Sequence, residues 1–181
     1  MDLSIEPVTG FTSRLVLVLV FGVALVHKLR EPSRFIGVLR EYRLLPATMV
    51  VPAAVLVIGA EAFAVVAIWW QGSRAWAGMV AVTLLLTYSV AIGINVRRGR
   101  GEIDCGCSFG PAGQPLSSAL LVRNALLLAP CAAAGIPVTG ALDAVGVVVG
   151  LLGAAALGLC YQVWGVLLAN RPRILQLEGL R

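Results

Sequence analysis

The chain has 181 residues, of which 59% are hydrophobic and only 13% charged, and its mean hydropathy is +0.93. Soluble globular domains carry about twice that share of charge, so the composition points to lipid as the solvent and leaves no stretch for a separate soluble domain. The net charge of +5 comes from thirteen arginines and one lysine, which gather between apolar stretches and so speak of membrane topology rather than nucleic acid.

Five apolar stretches follow one another: Phe11 to Val26, Ala47 to Trp70, Ala75 to Val96, Ser117 to Gly135 and Leu142 to Ala169. A bilayer core of about 30 Å takes roughly 20 apolar residues per helix. The pattern therefore predicts an all-α membrane protein over residues 1–181, a compact bundle of about five transmembrane helices with a four-helix core plus one. The first stretch follows an acidic segment and has no small-residue cleavage site before Lys28, so it reads as a retained helix rather than a signal peptide. His27, at its end, reads as a polar anchor.

Between Glu31 and Leu45, Phe35, Val38, Leu39 and Tyr42 recur at helical spacing among Arg34, Arg40, Glu41 and Arg43. This pattern predicts a short amphipathic helix in the headgroup layer, opened by Pro32 and closed by Pro46. A solvated connector is the bland alternative. The second span contains Glu61, and an ionisable group in hydrocarbon is costly enough to need a reason. Three readings stand: a neutral acid bonded to a neighbouring helix, which glutamine would replace; a partner for a cation; or a proton-handling group coupled to thiol chemistry. Only Gln71 to Arg74 separate the second and third spans, which suits an antiparallel hairpin, with Trp69, Trp70 and Trp76 at the interface.

The third span ends on Asn95 and on Arg97, Arg98 and Arg100, and then comes Asp104-Cys105-Gly106-Cys107-Ser108-Phe109-Gly110. Two thiols one residue apart close into a small strained ring, and strained disulfides are more oxidising than structural ones, so the pair suits exchange better than stapling. Arg100 and its neighbours favour a thiolate, while Glu102 and Asp104 oppose it. A zinc site would need four Cys or His ligands where this loop offers two, and two thiols are thin support for Cu(I), so neither a metal nor another cofactor is expected. Incidental loop cysteines are the remaining alternative. Arg123 and Asn124 enter the fourth span, where the arginine either snorkels to water or reaches the Asp104 loop, and Asn124 and Asn95 are placed to bond across helices. Cys131 and Cys160 read as small buried hydrophobes. In the last span Gly146, Gly150, Ala154 and Gly158 form a smooth ridge, fit for packing inside the bundle or for a homodimer.

Lys28, Arg30, Arg34, Arg40 and Arg43 follow the first span, Arg97, Arg98 and Arg100 the third, and Arg171, Arg173 and Arg181 the last, whereas the alternate ends hold only Arg14 and Arg74. Because short cytoplasmic loops are rich in positive charge, the N-terminus is expected outside a bacterial inner membrane, and the C-terminus and the cysteine loop on the cytoplasmic side.

Lys28-Leu29-Arg30, Tyr42-Arg43-Leu44-Leu45-Pro46, Glu61, Asn95 with Arg97-Arg98-Gly99-Arg100, the Asp-Cys-Gly-Cys loop and Arg123-Asn124 together resemble the methylamine-utilisation MauE family, related to the DoxX-like redox-associated membrane proteins. The resemblance covers roughly residues 15 to 130, and it departs from the family pattern where Ser108 intervenes before Phe109-Gly110. It implies a role in maturing an exported, disulfide-rich dehydrogenase subunit beside a thioredoxin-like partner. Two functions follow: a thiol-disulfide relay through Cys105 and Cys107, with a partner or a quinone completing the electron path, or a non-catalytic scaffold for the exported enzyme or its oxidoreductase. A transporter is disfavoured, for no internal duplication or paired broken helix is visible.

Overall fold

The computed structural model describes residues 5–105 and 115–178. Its helices are α1 (Pro7–Arg30), α2 (Pro32–Tyr42), α3 (Val50–Ala67), α4 (Arg74–Arg97), α5 (Ser118–Ala134) and α6 (Ala144–Glu178), with a short 3₁₀ turn, Ala47–Met49, leading into α3. No β-strand occurs among the described residues, so the all-helical expectation holds. Four segments are long and apolar enough to cross a bilayer: Pro7–Arg30, Ala47–Ala67, Arg74–Arg97 and Ala144–Leu168. The fourth expected span, α5, has 17 residues. At 1.5 Å per residue it reaches only about 25 Å, a few ångströms short of a typical core, a mismatch that local thinning absorbs.

The hub is α1, which packs on α3, α5 and α6 and touches α2, while α4 fills the gap between α3 and α5. Leu17, Phe21, Ala64, Ile68, Ala81, Leu85 and Cys131 form the principal core. Leu56, Leu126 and Leu159 are each more than 60% exposed, which in a membrane bundle means contact with lipid. Small residues bring the helices together: a Cβ on Gly78 of α4 would lie 2.8 Å from the Gly135 Cα, and one on Gly150 of α6 would lie 2.6 Å from Phe11 Cδ1 of α1. The ridge of Gly146, Gly150, Ala154 and Gly158 thus lies against α1 of the same chain.

Local sequence explains the end of the bundle that holds the cysteine. Pro32 has no N–H to continue α1 and pushes Glu31 out of the helical region, to φ −130°, so α1 stops and α2 starts afresh. Helix α2 is amphipathic as expected: Phe35, Val38 and Tyr42 are buried, and Arg40 and Glu41 exposed. Helix α4 ends in a Schellman motif, with Gly99 at φ 72°, its N–H on Val96 O and the Arg100 N–H on Asn95 O. That reversal sends Gly101 to Cys105 back beneath α2, where Leu116 N–H bonds Ile103 O to close the neck of the loop. At the opposite end Ile5 bonds Pro137 and Thr139, tying the start of the chain to the α5–α6 connection.

Candidate functional site

Where α1, α3 and α4 meet, Glu61 is fully buried, and its Oε1 accepts hydrogen bonds from Lys28 Nζ at 2.5 Å and from the Tyr88 hydroxyl at 2.7 Å. Lys28 is 1% exposed, and its ammonium lies 5.0 Å from the Phe35 ring centre and 5.3 Å from that of Tyr88, within the range where a ring face attracts a cation. Lysine's long stem explains how a residue in the last turn of α1 reaches an acid mid-way along α3. The sequence reading that counted Lys28 among the loop cations is therefore corrected. Of the three readings of Glu61, the structure holds pairing with a cation, together with a hydrogen bond from Tyr88 of the neighbouring helix α4. Glu61 Oε2 is buried and has no hydrogen-bond partner among the described residues.

Cys105 is 7% exposed, packed with Val38, Tyr42, Ile92, Leu116 and Leu120. The Tyr42 hydroxyl donates to its carbonyl at 3.5 Å, and the neighbouring Asp104 carboxylate takes Arg34 Nη2 at 2.9 Å. Arg34 is held above the usual arginine pKa, first by that hydrogen bond and then by Glu31, so it stays ionised at any working pH. The cation at this turn is thus Arg34 of α2, whereas Arg100 donates to the Glu41 carbonyl at 3.4 Å. Gly106 and Cys107 lie outside the described residues, so the cysteine ring has no described geometry.

Arg123 is 7% exposed, with its guanidinium carbon 4.8 Å from the Tyr161 ring centre. Asn124 bonds across to Ser89 Oγ of α4 at 3.3 Å, as expected, but the Asn95 amide bonds Ala91 O of its own helix. Asn95 contributes instead through the backbone carbonyl that holds Arg100 N–H.

These features share one space. A cavity of about 310 Å³, walled mostly by apolar side chains, is lined by Glu61, Tyr88, Tyr42, Cys105, Arg123 and Asn124. Of the nine residues singled out from sequence, Glu61, Cys105, Arg123 and Asn124 converge here; Asp104 adjoins Cys105, and Asn95 and Arg100 support the α4 turn. Tyr88 and Tyr161 were not anticipated, while Lys28, Arg34 and Tyr42 were noted in the sequence without a role in the site. The signal for Lys28 was a sole lysine among thirteen arginines, next to a helix facing an intramembrane acid. Chemically the lining combines Cys105, Arg123 and Asn124 with the fully buried Glu61 in an otherwise apolar wall.

A family model described as "Methylamine utilisation protein MauE" matches residues 6–137. Among curated proteins, "Methylamine utilization protein MauE" of Paracoccus denitrificans is 37% identical over 88% of this chain and 87% of its own. Its namesake from Methylophilus methylotrophus is 34% identical over 87% and 84%, and that from Paracoccus versutus is 32% identical over 96% of each. No solved structure matches the chain significantly. The matched stretch contains the buried pair, the Cys105 turn and Arg123, and most of each relative's length is aligned, so this multi-pass membrane chain belongs to the MauE family.

Proposed function

We propose that the protein serves methylamine utilisation from the bacterial inner membrane as a thiol-disulfide relay for the maturation of an exported dehydrogenase, with Cys105 and Cys107 as the exchanging pair. The observation that carries this reading is the setting of Cys105, pinned by Tyr42 and by the Arg34–Asp104 bridge on the wall of a buried cavity that also presents Glu61. A sulfur held in place on the wall of a cavity that a protonatable residue also lines suits exchange, because disulfide formation releases protons. The arginine distribution still favours a cytoplasmic cysteine loop after Lys28 is removed from the count, since Arg30, Arg34, Arg40 and Arg43 remain. From that side the pair cannot oxidise an exported substrate directly. A thioredoxin-like partner, or a carrier within the bilayer, then completes the path.

The test is substitution of each thiol with protein level and insertion monitored. Cys105→Ser, Cys107→Ser and the double variant are expected to abolish dehydrogenase maturation equally, since residues acting as a unit are non-additive. One single variant is expected to trap a mixed disulfide with the partner. Cys131→Ala and Cys160→Ser serve as controls. Maturation supported by a well-inserted double variant would replace the relay by the scaffold.

A further inference from the structure

We infer that Arg14 and Arg74 together hold the phosphate of an anionic phospholipid headgroup, at the end of the bundle where the α3–α4 turn meets the α5–α6 connection. These are the two cations that fall at the arginine-poor ends of the spans. The fold brings them together instead of spreading them. Arg14 of α1 and Arg74 at the start of α4 both flank the α5–α6 connection. A Cβ on Gly10 would lie 2.5 Å from Val138 Cγ2 and 3.5 Å from Arg14 Nη2, and one on Gly135 would lie 3.4 Å from the Arg74 carbonyl. The two guanidiniums are near enough for their charges to repel.

Among the described residues no carboxylate offsets that repulsion. Glu6 and Asp143, the acids at this end, pair with neither arginine, and Asp143 Oδ1 instead accepts the Gly146 N–H at 2.8 Å. Arg74 commits its Nε to Ile68 O at 3.4 Å, which leaves its two terminal nitrogens. Arg14 Nε and Nη2 are shut off from solvent and have no hydrogen-bond partner among the described residues, so Nη1 is the nitrogen left to meet a ligand. A half-buried guanidinium without a counter-ion is costly, and an oxyanion bridging Arg14 Nη1 and the Arg74 fork removes that cost. The level of the pair in the bilayer chooses the anion. Trp69, Trp70 and Trp76 are exposed around the same turn, as interfacial tryptophans are, and Arg14, about two turns inside α1, has a stem long enough to snorkel up to them. Headgroup phosphates stand at that level. Two positive charges with no paired acid suit a lipid of net negative charge, because the ammonium of a zwitterionic headgroup finds no carboxylate beside them.

Delipidated full-length protein in detergent would be titrated with phosphatidylglycerol and, separately, with phosphatidylethanolamine. Native mass spectrometry counts the bound lipid, and the thermal midpoint is read in parallel. One phosphatidylglycerol per chain is expected to bind more tightly than any further copies and to raise the midpoint. Arg14→Gln combined with Arg74→Gln is expected to weaken that first binding by about tenfold or more, as loss of charged hydrogen bonds does, and to abolish the rise. Arg97→Gln combined with Arg98→Gln, exposed at the opposite end, is expected to leave both unchanged. Arg74→Gln alone, at the turn, repeats the test should the double variant fail to fold. Tight binding untouched by a folded variant, or equal affinity for phosphatidylethanolamine, would overturn the site. Displacement of the lipid by millimolar inorganic phosphate would overturn the lipid as occupant and assign the pair to a soluble phosphate.

Discussion

The Lys28–Glu61 pair makes two residues on different helices depend on each other. A buried ion pair contributes little over well-packed apolar residues, but removing one partner leaves an uncompensated charge at a cost of about 3–5 kcal/mol. Glu61→Gln and Lys28→Met are each therefore expected to lower the thermal midpoint of the solubilised protein sharply. The double variant Lys28→Met with Glu61→Leu is expected to recover most of that loss, because it leaves neither charge behind. Tyr88→Phe, which removes one hydrogen bond to Oε1, is expected to cost about 1.5–3 kcal/mol. Losses that simply add in the double variant would show that the two charges do not act as a pair. Glu61 was legible from sequence because a single acid interrupts an apolar run. Its partner was not, because which cation reaches an acid across a helix crossing depends on stem length and crossing geometry, and neither leaves a periodic trace.

At the scale of elements, spacing within one helix was readable and contact between two was not. The four-residue ridge in α6 could be seen in the sequence, as could the amphipathic pattern of α2, and both appear where expected. Gly78 and Gly135 carry no such signal, since each is one of several clustered small residues and nothing marks which of them meets a neighbour, yet there α4 and the end of α5 meet backbone to backbone. Adding a methyl group at Gly78 requires the two segments to separate, for the obstruction is a Cα rather than a movable side-chain tip. Gly78→Ala is expected to destabilise the protein by about 1–3 kcal/mol, as overpacking does. Gly59→Ala, on the lipid-facing side of α3 with nothing near its Cβ position, is expected to be neutral or to stabilise by up to about 1 kcal/mol. Thermal denaturation of the two variants side by side checks this, and equal behaviour would mean that α4 and α5 are not in close contact in the membrane.

For the whole molecule, the contacts divide the connections into two groups before any membrane is considered. Ile5, the α3–α4 turn and the α5–α6 connection lie at one end, since Ile5 bonds Pro137 and Gly135 sits beside the Arg74 carbonyl. Helix α2 and the Asp104–Cys105 turn lie at the other, joined by Arg34 and Tyr42. All the connections at one end must share a side of the bilayer, so a single marker orients the rest. Trp69, Trp70 and Trp76 are exposed at the first end, as interface residues are, and the arginines of the α1–α3 and α4–α5 connections gather at the second. Reporter fusions after Arg43, Gly113 and Arg181 are therefore expected to read cytoplasmic, and fusions within Gln71 to Arg74 or Ile136 to Ala141 external. A membrane-impermeant thiol reagent applied from outside is expected to leave Cys107 unlabelled until the membrane is opened. External signal from the Gly113 fusion together with cytoplasmic signal from Gln71 would invert the whole set, because the contacts forbid inverting one connection alone. The cysteine pair would then face the exported dehydrogenase directly, and no carrier would be needed to take its oxidising equivalents across the membrane.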